Sequence, residues 1–174
     1  MKILLTGANG YIGKRLLPLL LDQGHDVICC VRNAGRFPKG GLYDHPKITL
    51  FEIDFLEDIE FHERLQAIDA AYYLIHSMSD TSADFGDLEE RSASNFVRLI
   101  DQTNAKQIIY LGGITNEDKL SKHLASRKRV DEVLRTSSVP VTSLKAGIIV
   151  GSGSSSFEIM RDLVEKLPVM IAPK

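Results

Sequence analysis

Three glycines spaced three apart, Gly7, Gly10 and Gly13, stand between a short apolar segment (Ile3, Leu4, Leu5) and an apolar helical pattern (Ile12, Leu16, Leu17, Leu20). Each glycine has a separate use in such a place. One permits a tight turn, a second lets the backbone approach a pyrophosphate, and the third lets helix and strand pack closely. The turn would present an anion to a helix N-terminus, where unpaired N–H groups and the helix dipole favour negative charge. This strand, turn and helix is a nucleotide-binding unit; the competing reading is a tight loop with no ligand.

The rest of the chain continues the alternation. Strands are expected at 2–6, 26–31, 48–53, 70–75, 107–112 and 141–149, separated by helical patterns or loops. That order points to an α/β fold, a doubly wound parallel sheet of the NAD(P)-binding Rossmann type in three layers. The first helix should run from Tyr11 to Gln23 and stop at Gly24, with Pro18 bending it or relaxing one turn. Residues 33–46, with Gly35, Pro38, Gly40, Gly41 and Pro46, read as a loop holding one short turn. Phe85, Leu88, Phe96, Leu99 and Ile100 predict a long amphipathic crossover helix, approached through the polar stretch 77–82. A helix over 121–135 should bury Leu124, Val130, Val133 and Leu134 and turn its basic residues outward. The 151–156 run GSGSSS reads as a loop leading into a last helical pattern at Phe157, Met160, Leu163, Val164 and Leu167.

With 174 residues, 44% hydrophobic and 25% charged, one substantial core is expected over 1–174 and not two. A net charge of -2 offers no broad attraction for nucleic acid or an anionic membrane, and no apolar run approaches the ~20 residues of a membrane span. Cys29 and Cys30 are adjacent, which is poor geometry for a disulfide and provides no metal-ligand spacing. They read as small core residues of a cytoplasmic protein, with no metal site expected.

The residue after strand two selects between dinucleotides. An acid there would bind the adenosine ribose hydroxyls of NAD, whereas arginine matches a 2′-phosphate. Here Arg32 follows VICCV directly and Arg36 lies on the same loop, so NADP(H) is preferred and NAD is the alternative. Solvated loop arginines are the bland reading. Asp54, ending strand three, could accept from the adenine amino group with Phe55 supplying backbone or an apolar edge, or could simply terminate the strand or cap the next helix.

TGANGYIG, the VRN after strand two, FEIDF, AYYLIHSM and IIYLGG together resemble the atypical short-chain dehydrogenase/reductases nearly end to end. LSKHLASRKRVDEVL and KAGIIVGSGSSSFE carry a closer likeness to NmrA-like and complex-I-subunit-like NAD(P)-binding proteins, and to bacterial proteins of the NAD-dependent epimerase/dehydratase type. The resemblance implies cofactor contacts from Gly7, Ala8, Asn9, Gly10, Tyr11, Ile12 and Gly13, with Arg32 and Asn33 at the adenosine end. It also implies that Leu74, Ile75 and His76 line the middle of the cofactor and that Gly112 borders it. Asn95 matches the asparagine that in many relatives supports a helix irregularity and a proton-relay water; a helix-surface residue is the alternative. The resemblance further implies a substrate-binding region beyond Lys174, before which this chain would be truncated.

Reductases of that superfamily use Tyr-x-x-x-Lys, with lysine binding the nicotinamide ribose and lowering the tyrosine pKa. The matching helix here reads His123-Leu-Ala-Ser-Arg127: the spacing survives and both chemical groups differ. Residues four apart share a helix face, so His123 and Arg127 could both address the nicotinamide end. Histidine can transfer a proton near neutral pH; arginine binds ribose or phosphate and does not titrate there. His76, at the carboxyl end of strand four, is the second proton-transfer candidate, with a satisfied structural histidine as its alternative. Gly112 and Gly113 stand where relatives present serine, and Thr115 is the nearest hydroxyl. Gly147, Ile148, Gly151 and Ser152 would border the nicotinamide or substrate, or form a plain strand exit.

The expectation is therefore an NADP(H)-dependent oxidoreductase acting on a small carbonyl, quinone or related organic substrate. The altered tyrosine position keeps open a non-catalytic NADP(H)-binding redox sensor or complex-assembly factor, and, less strongly, an epimerase or dehydratase.

Overall fold

The computed structural model describes residues 1–60, 63–76, 85–114 and 121–167. In chain order it contains β1 (Lys2–Thr6), α1 (Tyr11–Asp22), β2 (Asp26–Val31), β3 (Ile48–Glu52), β4 (Ala70–Tyr73), α2 (Phe85–Ile100), β5 (Ile108–Gly113), α3 (Lys122–Leu134), β6 (Val141–Ala146) and α4 (Ser155–Lys166). The strands form one sheet in the order β3-β2-β1-β4-β5-β6, and every pairing is parallel. This is the doubly wound Rossmann arrangement, whose strand order reverses between β1 and β4.

Strand alternation sends neighbouring side chains into two separate apolar layers. Ile3, Leu5, Val27, Cys29 and Val31 pack with Leu17, Leu20 and Leu21 of α1, whereas Leu4, Ile28, Cys30, Ala71 and Tyr73 pack with Phe96, Leu99 and Ile100 of α2 and with Val130 and Leu134 of α3. The adjacent cysteines thus lie on opposite faces of the sheet, both free and buried. Burial pushes the Cys29 thiol up to about 12 and raises that of Cys30 further, with Cys29 adding to it.

Several local expectations need adjustment. Strand six ends at Ala146 rather than 149, because its partner β5 ends at Gly113 and the last ladder bond runs from Ile114 N–H to the Ala146 carbonyl. Strand four ends at Tyr73 rather than 75: the Leu74 N–H donates to the Thr6 hydroxyl at 2.9 Å, so a side chain replaces the sheet ladder there. The loop over 33–46 holds two short 3₁₀ turns, Ala34–Arg36 and Gly41–Asp44, and is pinned by Phe37, buried edge-on against Tyr43 with ring centroids 5.5 Å apart. Helix α1 continues through Pro18 to Asp22.

On α3 the basic residues do not all face outward. Arg127 is half-buried while Lys128 and Arg129 are exposed, Arg129 paired with Glu90 of α2 at 2.6 Å. The apolar spacing of the last segment does form α4, yet Ile159, Met160, Leu163, Val164 and Leu167 are exposed. The polar stretch 77–82 and Thr115 lie outside the described residues. Among the described residues no helix is long and apolar enough to cross a membrane.

Candidate functional site

The switch point is built by Thr6 and the three glycines. Thr6 is fully buried; its hydroxyl donates to the Tyr72 carbonyl at 3.0 Å and accepts from Leu74 N–H, fixing the spot where β1 and β4 part. Gly7 then turns with φ +63, a left-handed conformation that costs a side-chain-bearing residue but not glycine. The Gly10 N–H closes the turn on the Gly7 carbonyl at 2.9 Å. A Cβ on Gly7 would lie 2.7 Å from the Leu74 carbonyl oxygen, and one on Gly13 would lie 2.2 Å from the Gly7 carbonyl oxygen.

Gly10 is the N-cap of α1 and brings no side chain to its free N–H groups, and the first turn carries no acidic residue. Those N–H groups have no partner within the helix. A helix end left open, without a competing carboxylate, fits a diphosphate. Ala8 is buried beneath the turn, Asn9 and Gly10 are exposed, and Tyr11 and Ile12 are half-buried.

At the far end of this edge, Arg32 and Arg36 are both exposed, directly after β2 and at the end of the first 3₁₀ turn. Among the described residues neither guanidinium makes an ion pair or hydrogen bond. Asn33, also exposed, begins that turn, and the Ala34 N–H donates to a Glu52 carboxylate oxygen at 2.9 Å, anchoring the loop to the end of β3. Asp54 is half-buried, one carboxylate oxygen accepting from Leu56 N–H at 3.0 Å. The Phe55 ring is in the core against Phe96, and its carbonyl accepts from the Asn95 amide at 2.8 Å. Asn95 is buried, also donates to the Glu57 carbonyl at 2.8 Å, and accepts from Arg98. Its polar atoms are spent on joining α2 to the segment after β3.

His76 follows the end of β4, and Arg127 of α3 lies close enough for its charge to act on the imidazole. Burial holds the His76 imidazole down to about 4, and the nearby Arg127 guanidinium lowers it as well. The imidazole is therefore neutral at neutral pH. Leu74 and Ile75, beside it, are half-buried, one against each apolar layer. Gly113 is what lets α3 lean in: a Cβ there would lie 2.7 Å from the Leu124 side chain and 3.4 Å from Arg127 Cδ. Gly112 is buried beside it, under the Tyr110 ring, and the Tyr110 hydroxyl donates to the Arg127 carbonyl at 3.1 Å. Burial raises the phenols of Tyr73 and Tyr110 well above their usual range, so neither is a ready proton donor. A groove between α3 and β6 opens here, lined in part by Gly112, Gly113, Arg127, Lys128 and Lys145. His123 is exposed on the first turn of α3.

Sequence reasoning misses four contributors. Thr6 and Glu52 act through pairings across the sheet that no local pattern reveals. Ser126, buried, donates to the buried Glu89 carboxylate and so joins α3 to α2 next to Arg127. Arg15 does leave a trace, the four-residue spacing from Tyr11 that puts both on one helix face.

Comparison with known proteins agrees with this geometry. A family model described as NAD(P)H-binding matches residues 7–167. A ketoreductase, CTB6 of Cercospora beticola, is 37% identical over 87 residues, covering 44% of this chain and 24% of that protein. UDP-glucuronic acid 4-epimerase from Bacillus cereus, solved in complex with NAD, superposes with a TM-score of 0.71 at 18% identity, covering 97% of this chain and 64% of that one. Triphenylmethane reductase of Citrobacter sp. gives 0.71 at 18% identity, over 86% of this chain and 50% of that one. The match spans less than two thirds of each of these proteins. With an open glycine turn at the switch point of a six-stranded parallel sheet, and a family match across nearly its whole length, the chain belongs to the NAD(P)H-binding family of Rossmann fold.

Proposed function

We propose that the protein is an NADP(H)-dependent oxidoreductase acting on a small carbonyl, quinone or related organic substrate. The observation that carries the reading is the uncapped, acid-free N-terminus of α1 at the switch point, with Arg127 packed over Gly113 on the same carboxyl edge of the sheet. Ligands of open parallel sheets bind at that edge near the switch point. The diphosphate would rest on the N–H groups of Tyr11, Ile12 and Gly13, and Arg32 and Arg36 would hold the 2′-phosphate in charge-assisted hydrogen bonds. Asn33 would face the adenosine, with Asp54 as a further contact through its second carboxylate oxygen.

Bound NADPH supplies the hydride. Arg127 binds the nicotinamide ribose or the substrate oxygen, and its fixed positive charge stabilises negative charge as it develops there. His76, neutral at the working pH, donates a hydrogen bond from its N–H to the substrate oxygen in carbonyl reduction, and the alkoxide formed as hydride adds to the carbon takes its proton from solvent; in alcohol oxidation His76 is an unprotonated base that accepts the hydroxyl proton as the hydride leaves. His123 is the alternative proton donor, since it lies one turn from Arg127 on the same helix.

The absence of the tyrosine and lysine pair, together with a neutral His76, favours a second reading: a cofactor-binding module without turnover. Calorimetric titration with NADPH, NADP and NADH, followed by NADPH oxidation against a panel of aldehydes, ketones and quinones, decides between them. Tight NADPH binding with oxidation lost in His76→Asn or His123→Asn supports the enzyme. Tight binding with no oxidation across the panel supports the sensor, and preference for NADH overturns the NADP(H) assignment.

A further inference from the structure

The segment after β6 does not continue along the sheet edge. The four-residue turn 151–154, closed by the Ser154 N–H on the Gly151 carbonyl at 2.9 Å, is docked on α1 instead. Arg15 donates to the Ser152 carbonyl at 2.5 Å, and its guanidinium lies 3.7 Å from the centroid of the Tyr11 ring. The Tyr11 hydroxyl sits so close that a Cβ on Gly151 would be 2.4 Å from it. The other end of the turn is moored to α4: buried Ser154 caps that helix through Phe157 N–H at 3.2 Å, and Gly153 N–H donates to Glu158 at 2.8 Å.

Sheet order makes this docking consequential. Three strand spacings separate β6 from β1, roughly 14 Å. Five residues, Gly147 to Gly151, reach at most about 17 Å when fully extended. The run has no regular structure, and Gly147 starts it next to Ile114 at the end of β5. With β4 lying between β5 and β1 in the sheet, it therefore crosses the carboxyl edge to reach the helix that would receive the diphosphate.

We propose that Arg15 is a positioning residue which latches this strap to α1 and thereby sets how fast the dinucleotide leaves; the proposal rests on the cofactor reading above. The latch combines a charge-assisted hydrogen bond with a cation–aromatic contact, and each weakens steeply once the guanidinium is lost. Lysine keeps the charge but cannot both fork to the Ser152 carbonyl and stack on Tyr11.

The test has two readouts. Stopped-flow displacement of NADPH should show dissociation at least tenfold faster in Arg15→Ala, with Arg15→Lys in between. In the ligand-free protein, amide hydrogen exchange over 147–154 should also speed at least tenfold in Arg15→Ala while the amides of β1 to β4 keep their rates, which a general loss of stability would not allow. Gly151→Ala should reproduce the fast dissociation by pushing on the Tyr11 hydroxyl. Combined with Tyr11→Phe it should fall back to the rate of Tyr11→Phe alone. Unchanged dissociation or unchanged exchange in Arg15→Ala overturns the latch while leaving the cofactor site standing. A wild-type protein that binds neither NADPH nor NADH overturns both.

Discussion

Replacing Gly13 by alanine tests whether the glycine turn is as tight as its geometry requires. The added Cβ would lie 2.2 Å from the Gly7 carbonyl oxygen, 2.7 Å from Ala8 Cα and 2.9 Å from the Ala8 carbonyl carbon. All three neighbours are backbone, so no side chain can rotate away. Restoring an ordinary contact of about 3.4 Å means parting α1 from the turn by roughly 1.2 Å, in a region that is close-packed. Overpacking of this kind costs about 1–3 kcal/mol. In a chain of this size that lowers the melting temperature by ~4–8 °C for a mid-range cost of about 2 kcal/mol. The same displacement tilts the N–H groups that would meet the diphosphate, so NADPH affinity should fall at least tenfold. Gly10→Ala is the control: its Cβ meets only the Gly7 carbonyl oxygen, at 3.1 Å, and its φ of -77 suits any residue. It should cost less stability. Differential scanning calorimetry with parallel cofactor titration reads both quantities. A Gly13→Ala protein that melts within 1 °C of wild type and binds NADPH normally would refute the packing argument.

Arg32→Ala and Arg36→Ala should each weaken NADPH about ten- to hundredfold, the scale of a lost charge-assisted hydrogen bond, and leave NADH affinity within twofold in calorimetric titration. His76 is protonated more easily in the unfolded chain, near 6.5, than in the fold, near 4, so its contribution to stability is intact above pH 6.5 and is lost as pH falls towards 4. The loss should reach at most about 3 kcal/mol, and urea titrations across pH 4–7 should show a flatter acid limb in His76→Asn. If His76 is the base in alcohol oxidation, the acid limb of kcat/KM should fall near pH 4 and disappear in His76→Asn; a limb that His76→Asn leaves in place would refute that role. Asn95→Ala leaves the Phe55 and Glu57 carbonyls without their donor and should cost about 1–3 kcal/mol in chemical denaturation.

Local periodicity carried the fold because each strand and helix announces its own pattern. The glycine spacing placed the switch point, and the strand positions followed within one to three residues. What stayed hidden was whatever a neighbour decides. Ile148 and Ile149 read as the end of strand six, but β5 has already ended, so among the described residues no strand pairs with them. The helical spacing of α4 is legible, but where its side chains lie is not: Met160, Leu163, Val164 and Leu167 are exposed. At the site, His76 and Arg127 were each legible alone, from the end of a strand and from a four-residue helical spacing. What places Arg127 over the end of β5 is Gly113, which lets α3 close in, and a residue without a side chain gives no chemical sign of what it admits. Asn95 shows the converse: a motif position suggests chemistry, while the structure spends its amide on holding two backbone carbonyls.

The adjacent cysteines give the protein a pair of internal reporters. Because successive strand residues face opposite ways, Cys29 is sealed in the layer under α1 and Cys30 in the layer under α2 and α3. Burial keeps both as unreactive thiols, so a labelling reagent can reach either one only when its own layer opens. Mass-spectrometric readout of which thiol is modified first would therefore tell whether the two halves of this sandwich come apart together or in sequence, without introducing a single foreign residue.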